Sequence, residues 1–152
     1  MKAVPVYSIT PSKFEFDCKQ FNATYKLGTF KGASQAATLE RLLQLKKMLA
    51  DELAEIDEII AIAQPAVYPD TYTTLDLRVE LADLLGDLQV YCASEMLRWG
   101  IPVQATLDII MSSNQSKLGA DGLPIMKEGK VQKGPDYWRP EPMIRQMLVG
   151  HG

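Results

Sequence analysis

The sequence predicts an all-α fold, four-helix bundle-like, with a short C-terminal hairpin or tail. Two observations carry this. Leu42, Leu49, Leu53, Ile56 and Ile60 form one apolar stripe at helical spacing. Leu77, Leu81, Leu84, Leu85, Leu88 and Cys92 form a second. A third observation is the punctuation, since Gly and Pro cluster where the periodic stretches stop.

Each element follows in order. Thr10-Pro11-Ser12 reads as a helix start, with Ser12 or Thr10 as N-cap. The first helix is expected from about 13 to 27, with Phe14, Asp17, Phe21 and Tyr25 near one face and Gly28 as the stop. The second helix is expected from about 34 to 63, ended by Pro65 and Pro69. The third starts at Thr73 or Thr74 and runs to about 99, closing on "WGIP". Pro102 suits the first turn of a fourth helix, to about 117, with Val103, Leu107, Ile110 and Met111 facing inward. From Gly119 the chain turns rich in Gly, Pro and charge. "LPIMKEGKVQKG" reads as a hairpin turning at Glu128-Gly129, and "EPMIRQMLV" as a final short helix.

A chain of 152 residues suits one domain, 1–152, with a helical core at about 13–118 and a tail at about 119–152. The net charge of −3 and the lack of a dense Lys/Arg block give no footprint for nucleic acid. No apolar run approaches membrane-spanning length, and the N-terminal stretch does not read as a signal peptide, so a cytoplasmic setting is expected. Cys18 and Cys92 are far apart and are expected to pack as small apolar residues. The sequons at Asn22 and Asn114 carry little weight without a secretory signal.

The two long helices carry unusual acid clusters. In "DELAEIDEII", Glu52 and Glu55 are three apart and lie beside Met48 and Ile59, bordering the apolar stripe. Asp51 and Glu58 lie further round. In the third helix Asp76, Glu80, Asp83 and Asp87 follow at steps of four, three and four, with Leu84 and Tyr91 along the edge. Like charges at this spacing repel unless something offsets them. Either both clusters are solvated faces, or the helices pack side by side and the carboxylates converge on a hard cation such as Mg²⁺. Spacing alone leaves both readings open. A di-iron bundle needs Glu-x-x-His on two helices, and His151, the one histidine, argues against it. No phosphate-binding glycine loop or nucleophile elbow is present.

Glu52-Leu-Ala-Glu55 followed by Glu80-Leu-Ala-Asp83 resembles the E-x-x-E and E-x-x-D motifs of the MazG-like all-α nucleoside triphosphate pyrophosphohydrolases. "FDCKQFNATYKLG" is similar to the first helix of that family, and "GKVQKGPDY" to its tail. The likeness runs from about Phe14 to Pro140, and the tail fits a branch that includes MazG-like dUTP-hydrolysing and phosphoribosyl-ATP pyrophosphohydrolase-like proteins.

The resemblance implies cleavage between the α- and β-phosphates of a (deoxy)nucleoside triphosphate, as nucleotide-pool house-cleaning, with dUTP or dCTP favoured. It implies Mg²⁺, with Mn²⁺ as a substitute, held by Glu52, Glu55, Glu80 and Asp83. Asp51 or Glu55 would orient or deprotonate the attacking water, with Glu52 in the same catalytic group. Phe21 and Asn22 would meet the base, with Tyr25 beside them. Asn114, Lys117, Lys130, Lys133 and Tyr137 would meet sugar and phosphates. Asp87 departs from the minimal motif and would hold a ligand or stay solvated. A homodimer or homotetramer is expected as well. The alternative is a non-catalytic helical module that binds nucleotide or metal without turnover.

Overall fold

The structure, a computed structural model, describes residue 7 and residues 9–64 and 73–150. The loop expected at Pro65 and Pro69, the N-terminal stretch before Tyr7 and His151 lie outside the described residues. The fold is all-α. Helix α1 spans Lys13–Thr24, α2 Gln35–Ala63, α3 Thr74–Arg98, α4 Val103–Gln115 and α5 Pro140–Gly150. A two-stranded hairpin, β1 Met126–Lys127 and β2 Lys130–Val131, precedes α5. Among the described residues no helix is long and apolar enough to cross a membrane.

The chain falls into two compact units, Cys18–Gly100 and, separately, Ile101–Gly152 with the chain up to Asp17. In the first unit α2 packs along α3. Both helices start on local signals. Ser34 caps α2, its hydroxyl accepting from Ala37 N at 3.2 Å. Thr73 and Asp76 form a reciprocal capping box at α3: Asp76 N donates to Thr73 Oγ1 at 3.3 Å, and Thr73 N donates to Asp76 Oδ2 at 2.7 Å. Asp76 therefore belongs to the cap, not to the acid stripe. Helix α1 ends at Thr24, earlier than expected. Lys26, at φ 53°, takes the left-handed position that the sequence suggested for Gly28, and Leu27 N returns to Asn22 O at 2.9 Å.

The packed faces differ from the leucine stripes. On α2, Arg41, Leu45, Met48, Leu49, Glu52, Ile56 and Ile59 are half-buried, while Leu42, Leu53 and Ile60 are exposed. The face is rotated, so Glu52 sits within it rather than at its border. On α3, Leu77, Leu81, Leu88 and Tyr91 are half-buried and Leu84 is buried. Leu85 and Cys92, expected inside, are exposed. The fully buried end of α3 is Ala93-Ser94-Glu95, small or charged residues that no hydrophobic stripe marks.

In the second unit α4 packs on α5. The buried side of α4 is Val103, Thr106, Ile109 and Ser113, at steps of three and four, with Ala105 one turn before Ile109. Leu107 and Met111, expected inward, are exposed, and Ile110 is half-buried. Pro102 has no capping side chain, and a residue from α1 supplies one: Gln104 N donates to the buried Glu15 carboxylate at 2.8 Å. The hairpin pairs Met126 with Val131 and Lys127 with Lys130. Its turn is Glu128-Gly129, as the sequence predicts, with both φ angles positive at 50° and 74°.

Candidate functional site

The α2–α3 face of the first unit holds the acids. Two relationships fix how the helices run. Arg41, near the start of α2, meets Glu95, near the end of α3. Further along α2, Glu52 feels the charge of Asp87, nearer the start of α3, and Tyr91 of α3 feels the charges of Glu52 and Glu55. The helices are therefore antiparallel, and residues of falling number on α3 meet residues of rising number on α2.

Glu52 is half-buried and its carboxyl is held above the ordinary Glu value. Partial desolvation is the largest cause, followed by the negative charges of Glu55, Asp87 and Asp51. The Tyr91 phenol is pushed up as well, first by Glu52, then by desolvation, Asp87 and Glu55. The charges of Glu55 and Asp87 thus bear on Glu52 from two helices, and all three bear on Tyr91. Tyr91 is one turn beyond Asp87, which places both on one side of α3.

The α3 acid whose charge reaches Glu52 is Asp87. Asp83 lies a turn nearer the N-terminal end of α3 and is exposed, and Glu80 lies a further turn back and is half-buried. The antiparallel register puts Asp83 about level with the turn of α2 that carries Glu55. Asp51 is exposed, and Lys47 reaches it at 2.5 Å across one turn of α2. That pairing turns the proposed water-orienting acid toward a neighbouring lysine.

The donor set suits a hard cation, since it offers carboxylate oxygens and a phenol. As the side chains stand, they do not close a ligand shell. Among the described residues no three Asp, Glu, His or Cys side chains converge closely enough to hold a metal ion.

The residues expected at the base are on α1. Phe21 is exposed and its ring lies 4.5 Å from that of Tyr25, tilted by 42°. Asn22 is engaged elsewhere. Its Nδ2 donates to Ser94 O at 3.1 Å, and Ser94 Oγ donates to Asn22 Oδ1 at 2.5 Å. Both ends of the amide tie α1 to α3.

The residues expected at the phosphates gather in the second unit. Lys117 Nζ donates to Asn114 Oδ1 at 2.8 Å. The segment after the hairpin is strapped to this end of α4. Gly134 N donates to Lys117 O at 3.0 Å, Ser113 Oγ to Trp138 O at 2.8 Å, and Trp138 N to Ser116 Oγ at 3.2 Å. A Cβ on Gly134 would lie 1.8 Å from Leu118 O, so only glycine fits there. The strap carries Lys133, whose ammonium sits 4.7 Å from the centre of the Tyr137 ring. Lys130 is exposed on β2.

Sequence reasoning missed a charged cluster at the other end of the α2–α3 pair. Glu95 is buried, and Arg41 grips both its oxygens: Nε donates to Oε1 at 3.0 Å and to Oε2 at 3.2 Å, and Nη2 also reaches Oε2. Trp99 Nε1 donates to Glu95 Oε1 at 2.7 Å. Arg98 lies 3.7 Å away and donates from Nε to Gly28 O at 2.9 Å. The Phe30 ring is flanked by both guanidiniums, at 5.7 Å and 4.7 Å, and by Trp99 at 5.3 Å. Burial pushes the Glu95 carboxyl up, but the bonds from Arg41 and Trp99 outweigh it and the net shift is downward. One signal was present: Arg41 and Glu95 continue the half-buried stripes of their helices at steps of four.

In comparisons with known proteins, no family model matches the chain, and no curated protein does so either.

Proposed function

We propose that the protein is a Mg²⁺-dependent nucleoside triphosphate pyrophosphohydrolase, releasing a monophosphate and pyrophosphate. The observation that carries this reading is Glu52, half-buried on α2, held above its ordinary pKa by partial desolvation and then by the charges of Glu55 on its own helix and Asp87 on the packed α3. A carboxylate cluster that destabilises its own ionised form is relieved by a divalent cation. The motif Glu52-x-x-Glu55 with Glu80-x-x-Asp83 supplies the expected ligands, and Asp87 joins them.

When bound, Mg²⁺, or Mn²⁺ in its place, would clamp phosphate oxygens and lower the pKa of a coordinated water. The protein's own groups do the rest. Glu52, Glu55, Glu80, Asp83 and Asp87 would hold the cation. Glu55 or Asp51 accepts a proton from the attacking water, Asp51 after parting from Lys47. Phe21, with Tyr25, offers an exposed ring pair for a base to stack on. Lys117, Lys130 and Lys133 offer charge, and Asn114 and Tyr137 hydrogen bonds, to a polyanion. The substrate class is (deoxy)nucleoside triphosphate, with dUTP or dCTP first in line by the resemblance.

Assembly as a homodimer or homotetramer belongs to the same proposal. It is supported by exposed Leu39, Leu43, Leu53 and Ile60 on α2 and by Leu75, Val79 and Leu85 on α3. A second reading is a helical module that binds nucleotide or metal without turnover.

The test is pyrophosphate release from a panel of nucleoside triphosphates with Mg²⁺. The hydrolase reading expects release by the wild type and loss with Glu55→Ala. No release from any nucleotide, with wild type and variant alike, would favour the binding module.

A further inference from the structure

We infer that the buried Arg41–Glu95 pair is a positioning device that fixes the register of α2 on α3 and so decides which carboxylates face each other. The inference rests on the reading of the Glu52–Asp87 face as a cation site.

The argument begins with geometry. Arg41 and Glu95 are 54 positions apart in sequence and joined by a two-pronged ion pair. Their side chains are only 13% and 8% exposed, so a one-turn slip would leave two charges buried and unpaired. A guanidinium fork bonded to both oxygens of a carboxylate tolerates little sliding, unlike apolar contacts between leucines. The leucine contacts alone are permissive here, since α2 has no fully buried residue. Trp99 Nε1 and Arg98 hold the Glu95 carboxylate from the α3 side. Phe30, between the two arginines, closes the cluster.

The consequence lies along the same two rods. From Arg41 to Glu52 is roughly three helical turns, and from Glu95 back to Asp87 roughly two. A helix transmits position along its axis, so fixing one end fixes the other. Counted from the Arg41–Glu95 pair, Glu52 falls level with the turn of α3 between Asp83 and Asp87, and a slip of one turn, about 5.4 Å, would bring Asp87 or Glu80 level with it instead. Arg41 and Glu95 touch neither cation nor substrate in this proposal. They act through α2 and α3.

The experiment compares wild type with Arg41→Met/Glu95→Gln, a neutral pair that leaves Trp99 an acceptor. Nitroxide labels at Lys46→Cys and Gln89→Cys, with Cys92→Ser, report the α2–α3 distance by pulsed electron paramagnetic resonance. Mn²⁺ titration reports the site, and thermal unfolding reports stability. The expected result is a melting temperature near wild type, a broadened or displaced distance, and Mn²⁺ affinity about tenfold weaker. A wild-type distance in the double variant, or a displaced distance with unchanged Mn²⁺ affinity, overturns the inference. Should the double variant not fold, Arg41→Lys, which keeps the charge and loses the fork, undergoes the same readouts. A milder broadening with weaker Mn²⁺ binding supports the device, and no change in either overturns it. If the wild type binds no Mn²⁺, the cation reading fails, while the distance still judges the clamp.

Discussion

Arg41 on α2 grips both carboxylate oxygens of Glu95 on α3, and Trp99 Nε1 completes the acceptor's shell at 2.7 Å. This is the most buried ion pair among those described between the two long helices. Losing one partner leaves the other charged in a poorly solvated place. Arg41→Ala is therefore expected to destabilise the protein by about 3 kcal/mol. Lys47→Ala, which removes an exposed pair with Asp51, should cost under about 0.5 kcal/mol. Urea unfolding of the two variants measures the contrast, and equal losses would contradict it.

The two perturbed glutamates predict opposite pH behaviour. The Glu52 carboxyl is held above 4.5, so its contribution to stability is present below that value and is lost as pH rises through the raised one. Glu95 is held below 4.5, so its contribution is present above that value and is lost as pH falls through the lowered one. Thermal unfolding in a chelator, from about pH 3 to 8, should show Glu52→Gln flattening the decline on the less acidic side. Glu95→Gln should flatten the acid-side loss. Mg²⁺ should raise the melting temperature of the wild type most where Glu52 is ionised.

The strap over the end of α4 depends on Gly134. Gly134→Ala places a methyl group 1.8 Å from Leu118 O, against backbone that cannot yield by a side-chain rotation. The expected cost is about 1–3 kcal/mol, concentrated in the strap. Amide exchange at Gly134 and Trp138 should quicken more than at Gln104, whose amide is held by Glu15. Uniform protection across all three sites would contradict the strap.

The exposed Phe21–Tyr25 pair predicts a binding effect. Phe21→Ala should raise the KM for a nucleoside triphosphate about tenfold and act less on kcat, as stacking on a base is equal in ground and transition states. Steady-state kinetics checks this. An unchanged KM would leave Phe21 outside the site.

Much of the fold was legible because its signals are local. Ser34 and Thr73 sit at the helix starts that their capping chemistry suggests, and Glu128-Gly129 turns where the hairpin pattern puts it. The facing sides were not legible. Charged and apolar residues interleave on α2, and a leucine stripe does not say which flank meets α3. Arg41 and Glu52 fell inside the packed face and Leu53 outside it. The Arg41–Glu95 pair joins residues 54 apart, and no local spacing encodes that. For the candidate site, Glu52 and Glu55 were read from spacing, while the reach of Asp87 needed the register of two helices. Asn22 shows the converse. It was expected to meet a base, yet its amide binds Ser94 on both sides.

The central proposal is that the acids of α2 and α3 would hold a cation for cleavage of the α–β phosphoanhydride bond. Phosphorus NMR of dUTP or dCTP incubated with protein and Mg²⁺ tests it most directly. The account predicts the monophosphate and pyrophosphate as paired products, with turnover reduced at least a hundredfold in Glu52→Gln and in Asp87→Asn. A diphosphate with orthophosphate, or equal product from the wild type and both variants, would contradict it.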